Sequence, residues 1–187
     1  AKGGTRGAVR ARRRAHGLFG SAIPEEHGGL GLDLRTYCMV VEELSRGWIS
    51  LSGVINTHFI GTYLLMKFGT DEQKQKYLPR MATGEIRAAF SLSEPELGSD
   101  VQAIKTAAKK LDDGNYEING QKMWVPNGLM SDLGSLPVRT DPDNPNRHAR
   151  HTSLLPVTDR PLPQRGATPP GQPPAAQPTL LAPKTPP

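Results

Sequence analysis

The chain has almost no cysteine. Cys38 stands alone among 187 residues, which excludes an intrachain disulfide. It sits between Tyr37 and Met39-Val40-Val41 on an expected helix, a setting that reads as a small buried thiol rather than a reactive one. Aromatics are scarce at 5%, and apolar residues reach only 36%, below the usual share for a globular chain. The shortfall is local, because 14 of the 18 prolines lie after Gly134. No apolar run is long enough to cross a bilayer, so no membrane span is expected. The five histidines lack metal-ligand spacing, so no metal is expected. Acids are missing from residues 1–16, which carry six Lys/Arg; residues 17–133 carry 11 basic and 15 acidic residues. The overall charge of +5 therefore belongs to the ends. A nucleic-acid-binding domain would place its positive charge on the folded body, so nucleic acid is not an expected partner.

What is present falls into four segments. Residues 1–16 form a basic leader, expected to be disordered, with an Arg-rich transit peptide as the other reading. In residues 17–32, Gly and Pro density predicts a defined loop anchored by Leu18, Phe19 and Ile23. Asp33 is a suitable N-cap for a helix to about Ser45, with Gly47 as its stop. A second helix, Leu51 to Phe68, is apolar on most sides and should be central to a bundle, with His58 packed inside it. Thr70 and Gln73 form a capping box for a third helix, ending near Pro79.

The period then changes. Strands are expected at Arg87 to Ser93, Ile104 to Leu111, Tyr116 to Ile118 and Gln121 to Val125. Asp113-Gly114 and Asn119-Gly120 supply turns, so two hairpins are expected. The composition from Pro156 onward cannot bury enough apolar surface to offset ordering entropy. The fold class expected is α+β. An N-terminal α-helical bundle domain (17–86) precedes an incomplete antiparallel β domain (87–155), and a disordered Pro-rich tail occupies 156–187.

The densest chemistry lies in FSLSEPELGSD, Phe90 to Asp100. Ser93 and Ser99 offer hydroxyls, Gly98 permits close approach of a ligand to the backbone, and free N–H groups around a Gly-Ser turn can cradle phosphate oxygens. Composition alone supports a ligand site and an ordinary strand–loop equally.

AFSLSEPELGSD resembles the signature of the acyl-CoA dehydrogenase family. IPEEHGGLGLD, EELSRG, KFGTDEQKQKYLPRMATGEIRAAF and INGQKMWVPNG resemble further family blocks, in the family's order and spacing. The match covers residues 17–133, weakens to Leu155 and then stops. The resemblance implies FAD-dependent α,β-desaturation of an acyl-CoA thioester, of the fatty-acid β-oxidation type. It implies cofactor contacts from Phe90, Leu92 and Ser93 at the flavin ring, from Gly98 and Ser99 at the pyrophosphate, and from Trp124 against the ring. Ser99 would also meet substrate. Pro126 falls where the family has a flavin-bonding threonine, and Leu97 where it has a small residue. The family's catalytic glutamate lies in a C-terminal helical domain that no residue here matches. Catalytic residues are therefore none, and the chain is expected to be an inactive fragment. An electron-transfer flavoprotein-type acceptor and a homo-oligomer are implied for the intact family, with cytoplasmic location expected and the mitochondrial matrix as the alternative. Other readings are an acyl-CoA oxidase or related flavin oxidase or monooxygenase, and a non-catalytic interaction protein using the two ends. A shifted reading frame after about Leu133 would also explain the loss of the pattern.

Overall fold

The computed structural model describes residues 17–128 and 130–154. The basic leader and the Pro-rich tail lie outside the described residues. The chain divides into two compact units, Ala1–Ala88 and Ala89–Pro187.

The first unit is helical. Two short 3-10 turns, Leu18–Gly20 and Glu25–His27, shape the opening loop. Gly29 is required there, since a Cβ would run into the Ile23 backbone. Helix α1 spans Leu34–Phe68, capped by the Asp33 side chain, which accepts from Thr36 N–H at 2.8 Å. The two expected helices are thus joined end to end. The break falls at Trp48 (φ −167°, ψ 108°), beside the expected stop at Gly47. Helix α2, Asp71–Ala82, carries the Thr70–Gln73 capping box in full. It runs three residues past Pro79, because proline forfeits only its own amide while its carbonyl still accepts from Thr83 N–H.

Phe19, Tyr37 and Ile55 form the core, with Val41, Leu44, Val54 and Phe59 packed around them. His58 is buried as expected. Its Nδ1 accepts from Ala88 N–H at 3.2 Å, so Nε2 carries the proton and donates to the Met81 carbonyl at 3.1 Å. By length and composition alone α1 is long and apolar enough to cross a membrane, with an 18-residue window of mean hydropathy 1.2, a test that a core helix also passes, and polar residues interrupt its apolar run. Those polar residues, Ser52, Thr57, His58 and Thr62, are buried within the helical unit. Cys38 is exposed rather than buried. Tyr37, Val41 and Leu44 take the inward stripe, and Cys38 lies about 100° from Tyr37 around the helix. A thiol reagent such as dithionitrobenzoate should therefore label one thiol per folded chain without denaturant. Protection until unfolding would contradict this exposure.

The second unit holds a five-stranded sheet of β1 (Ala88–Phe90), β2 (Ala107–Lys110), β3 (Tyr116–Asn119), β4 (Leu133–Arg139) and β5 (His151–Leu154). The order is β1-β4-β2-β3, with β5 also paired to β4. β2 and β3 form the expected antiparallel hairpin around Asp113-Gly114. The helical-then-β order stands, but the sheet is mixed, since β2 and β4 run parallel. Ala108, Val138 and Leu154 make its core. No break follows Leu133, where β4 begins. β4 pairs with β5 from Leu136 to Arg139, so the sheet continues through the segment whose motif pattern weakens.

The expected strand Gln121–Val125 does not form. Gly120 (φ 156°) redirects the chain, and a Cβ there would overlap Thr106. Trp124 then adopts a left-handed φ of 53°, which ends any two-residue alternation. The second expected hairpin is therefore a loop.

Candidate functional site

The loop after β1 is built by its own backbone. Glu94 N–H donates to the Leu97 carbonyl at 2.9 Å and Leu97 N–H returns to the Glu94 carbonyl at 3.2 Å. Pro95 and Glu96 sit in the closed turn between them. A trans peptide sets its N–H opposite its C=O. With the Leu97 carbonyl turned into the turn, the Gly98 N–H faces away from it. Gly98 and Ser99 are exposed, and a Cβ on Gly98 would meet only the Ser93 hydroxyl, at 4.0 Å. The backbone N–H groups of Leu92, Ser93, Gly98 and Ser99 donate to no acceptor among the described residues.

Segment 121–128 lies against this loop. Met123 N–H donates to the Ser93 carbonyl at 2.8 Å. The left-handed turn at Trp124 leaves its indole 82% exposed. Gly128 N–H then closes a turn onto the Val125 carbonyl at 3.2 Å. Pro126 is second in that turn and Asn127, at φ 61°, is third, the pattern of a type II turn. Proline is locally favoured here, because its fixed φ suits the second position and no N–H is required of it.

Beneath both segments lies a polar cluster that sequence reasoning did not assemble. The Glu94 carboxylate accepts from the Thr106 hydroxyl (2.6 Å), Thr106 N–H (3.0 Å), Lys105 N–H (2.9 Å) and Lys122 Nζ (2.9 Å). Lys122 Nζ also donates to the Leu92 carbonyl at 3.1 Å. The Lys122 and Glu94 side chains are 9% and 4% exposed. Burial pushes the Glu94 carboxyl up, but the Thr106 hydroxyl, Lys105 N–H, Lys122 and Thr106 N–H outweigh it and hold the pKa at about 2. Burial pushes Lys122 down, opposed by Glu94. The difference follows from partner number, since the carboxylate gains four donors and the ammonium two acceptors. The one signal in the sequence was a lysine amid Gln121, Met123 and Trp124.

These contacts decide what the two carboxylates of the loop, Glu94 and Glu96, can do chemically. Glu94, saturated and strongly acidic, is a poor proton acceptor. Glu96 is exposed and paired with Lys105. Of the sequence-expected cofactor residues, Leu92, Ser93, Gly98, Ser99, Trp124 and Pro126 lie on the two hydrogen-bonded segments, and Phe90 ends β1, which leads into them. No cluster of His, Cys, Asp and Glu able to hold a metal occurs among the described residues.

Known proteins resemble this chain in sequence and in fold. The family described as acyl-CoA dehydrogenase, N-terminal domain, matches residues 5–85, and the acyl-CoA dehydrogenase middle domain matches residues 89–174, beyond the point near Leu155 where recognisable motifs stop. An acyl-CoA dehydrogenase of Bacillus subtilis is 38% identical over 134 residues, covering 71% of this chain and 35% of the relative. The mitochondrial isovaleryl-CoA dehydrogenase of Solanum tuberosum is 42% identical over 126 residues, covering 66% and 30%. A solved acyl-CoA dehydrogenase from Bacillus anthracis, complexed with FAD, superposes with a TM-score of 0.71 at 33% identity, over 81% of this chain and 25% of that one. The chain spans about a third of the length of these curated relatives. Two consecutive domains of one family, matched in order, together account for nearly all of the sequence, and the chain belongs to the acyl-CoA dehydrogenase family.

Proposed function

We propose that this chain supplies one wall of an FAD site serving α,β-desaturation of an acyl-CoA thioester. The observation that carries the reading is the pairing of outward N–H groups on the loop Leu92–Ser99 with the uncovered Trp124 indole. These residues fit FAD. Leu92 and Ser93 offer N–H donors for the polar edge of the ring, with Phe90 leading into them. Gly98 and Ser99 offer donors and space for phosphate oxygens. Trp124 offers a flat face for stacking. Bound flavin would supply the hydride-accepting chemistry, while the protein binds, orients and tunes it. Ser99 is also proposed to meet the acyl-CoA. Neither Glu94 nor Glu96 is assigned as the base that removes the α-proton. A flavoprotein electron acceptor and a cytoplasmic location belong to the same reading, the location supported by the bacterial relative.

FAD titration of the full chain tests the site. Stacking on Trp124 should quench flavin emission, and Trp124→Leu should restore emission and weaken binding. Equal quenching by both proteins would remove Trp124 from the site.

Pro126 offers a second test. Threonine there would add one hydroxyl and one N–H beside the indole. A single useful hydrogen bond is worth ~0.5–1.5 kcal/mol, so Pro126→Thr should tighten FAD binding by roughly 2- to 10-fold. The turn would lose about 0.4–1 kcal/mol of proline preorganisation. Unchanged affinity by calorimetry would show that position 126 does not reach the flavin.

A further inference from the structure

Taking the loop Leu92–Ser99 as a flavin site, we propose that Lys122 is a positioning residue for it. With Glu94 as counter-charge, Lys122 holds the Leu92 carbonyl inward and so turns the Ser93 N–H toward the cofactor.

Peptide planarity supplies the argument. The Leu92 carbonyl and the Ser93 N–H belong to one peptide unit, and no cis peptide occurs among the described residues. In a trans unit the two groups point in opposite directions. The Lys122 ammonium takes the carbonyl at 3.1 Å from a buried position, so the N–H must leave by the other side. The next unit is held in the same way. The Ser93 carbonyl accepts from Met123 N–H and Glu94 N–H donates to the Leu97 carbonyl. Both peptide planes flanking Ser93 are therefore fixed, one by an ammonium at its carbonyl and one by backbone bonds at both of its ends.

Glu94 alone, with three other donors, is already satisfied as a buried carboxylate. The ammonium contacts two acceptors that differ in consequence. Glu94 lowers the cost of burying the charge, and the Leu92 carbonyl converts that buried charge into an orientation. Such preorganisation raises affinity by removing an ordering cost that binding would otherwise carry.

The experiment uses the full chain as wild type, Lys122→Arg and the double variant Glu94→Gln/Lys122→Met. The double variant leaves no unpaired buried charge, so it should still unfold cooperatively. Two readouts are taken: the Ser93 amide resonance without FAD, and FAD affinity by fluorescence titration. In the double variant the Ser93 amide should shift and exchange faster with solvent, and the FAD Kd should rise about tenfold. Lys122→Arg, which keeps a buried cation with several donors, should recover part of that loss.

A double variant with wild-type Ser93 resonance and wild-type FAD affinity overturns the positioning role while leaving the flavin site standing. A moved Ser93 resonance with no FAD binding by any of the three proteins overturns the flavin reading on which the proposal rests. An unfolded double variant assigns the pair to stability and overturns the proposal as well.

Discussion

Glu94→Ala should destabilise the chain by ~3–5 kcal/mol, the range expected when one member of a buried ion pair is removed. The remaining Lys122 side chain, 9% exposed, would be left without its counter-charge. The N–H groups of Lys105 and Thr106 would lose the acceptor they share. The loss should also fade with acid. The Glu94 pKa is held at about 2, below its ordinary 4.5, so its stabilisation is complete above about pH 4.5 and is lost as pH falls toward 2. Urea unfolding of both proteins at pH 7 and pH 3 measures this directly. A pH 7 difference below about 1 kcal/mol would show that the pair contributes no more than an exposed one.

A second large effect should come from His58. Burial pushes its pKa down to about 4 from 6.5, with the Met81 hydrogen bond opposing and Arg87 assisting. Between these values the unfolded chain takes up a proton that the folded chain refuses. Stability therefore falls as pH drops from about 6.5 to about 4, and 2.5 pH units correspond to roughly 3 kcal/mol. The ring is 1% exposed and already holds both of its partners as the neutral tautomer. Protonation would put a second donor against Ala88 N–H. His58→Gln, which can still donate and accept, should flatten the slope between pH 6.5 and 4.5. A wild-type stability constant over that range would show that His58 can protonate in place. Acid unfolding is thus expected in two overlapping stages, His58 in the helical unit first and Glu94 in the β unit below it.

The site was legible in proportion to how local its chemistry is. Pro95, Gly98 and Ser99 mark a loop open to ligands because their backbone preferences act within a few residues. Lys122 gave no such signal. Its partners lie 28 and 30 residues away in sequence, and only the packing of the segment around Trp124 against the Ser93 loop brings them within reach. Met123-Trp124-Val125 has strand composition, which favours the strand expected from Gln121 to Val125. Tertiary contact overrode that preference, through the Met123 bond to Ser93 and a left-handed backbone that aims the indole outward. The exposed Cys38 has a similar origin, since composition records what a residue is and not which side of an element faces the core.

By itself, the sequence determined the elements whose causes are short-ranged. These are the Asp33 cap, the Thr70–Gln73 capping box, the Asp113-Gly114 hairpin and the division into a helical part and a β part. It also determined the family, because several motifs at the right spacing carry more information than any single one. Only the tertiary structure decided the mixed sheet, with β4 inserted between β1 and β2. It also decided the burial of Glu94 with Lys122 and the direction of the N–H groups around Ser93. Strand order and a buried ion pair depend on residues far apart in the chain, and no local preference records which of them will meet.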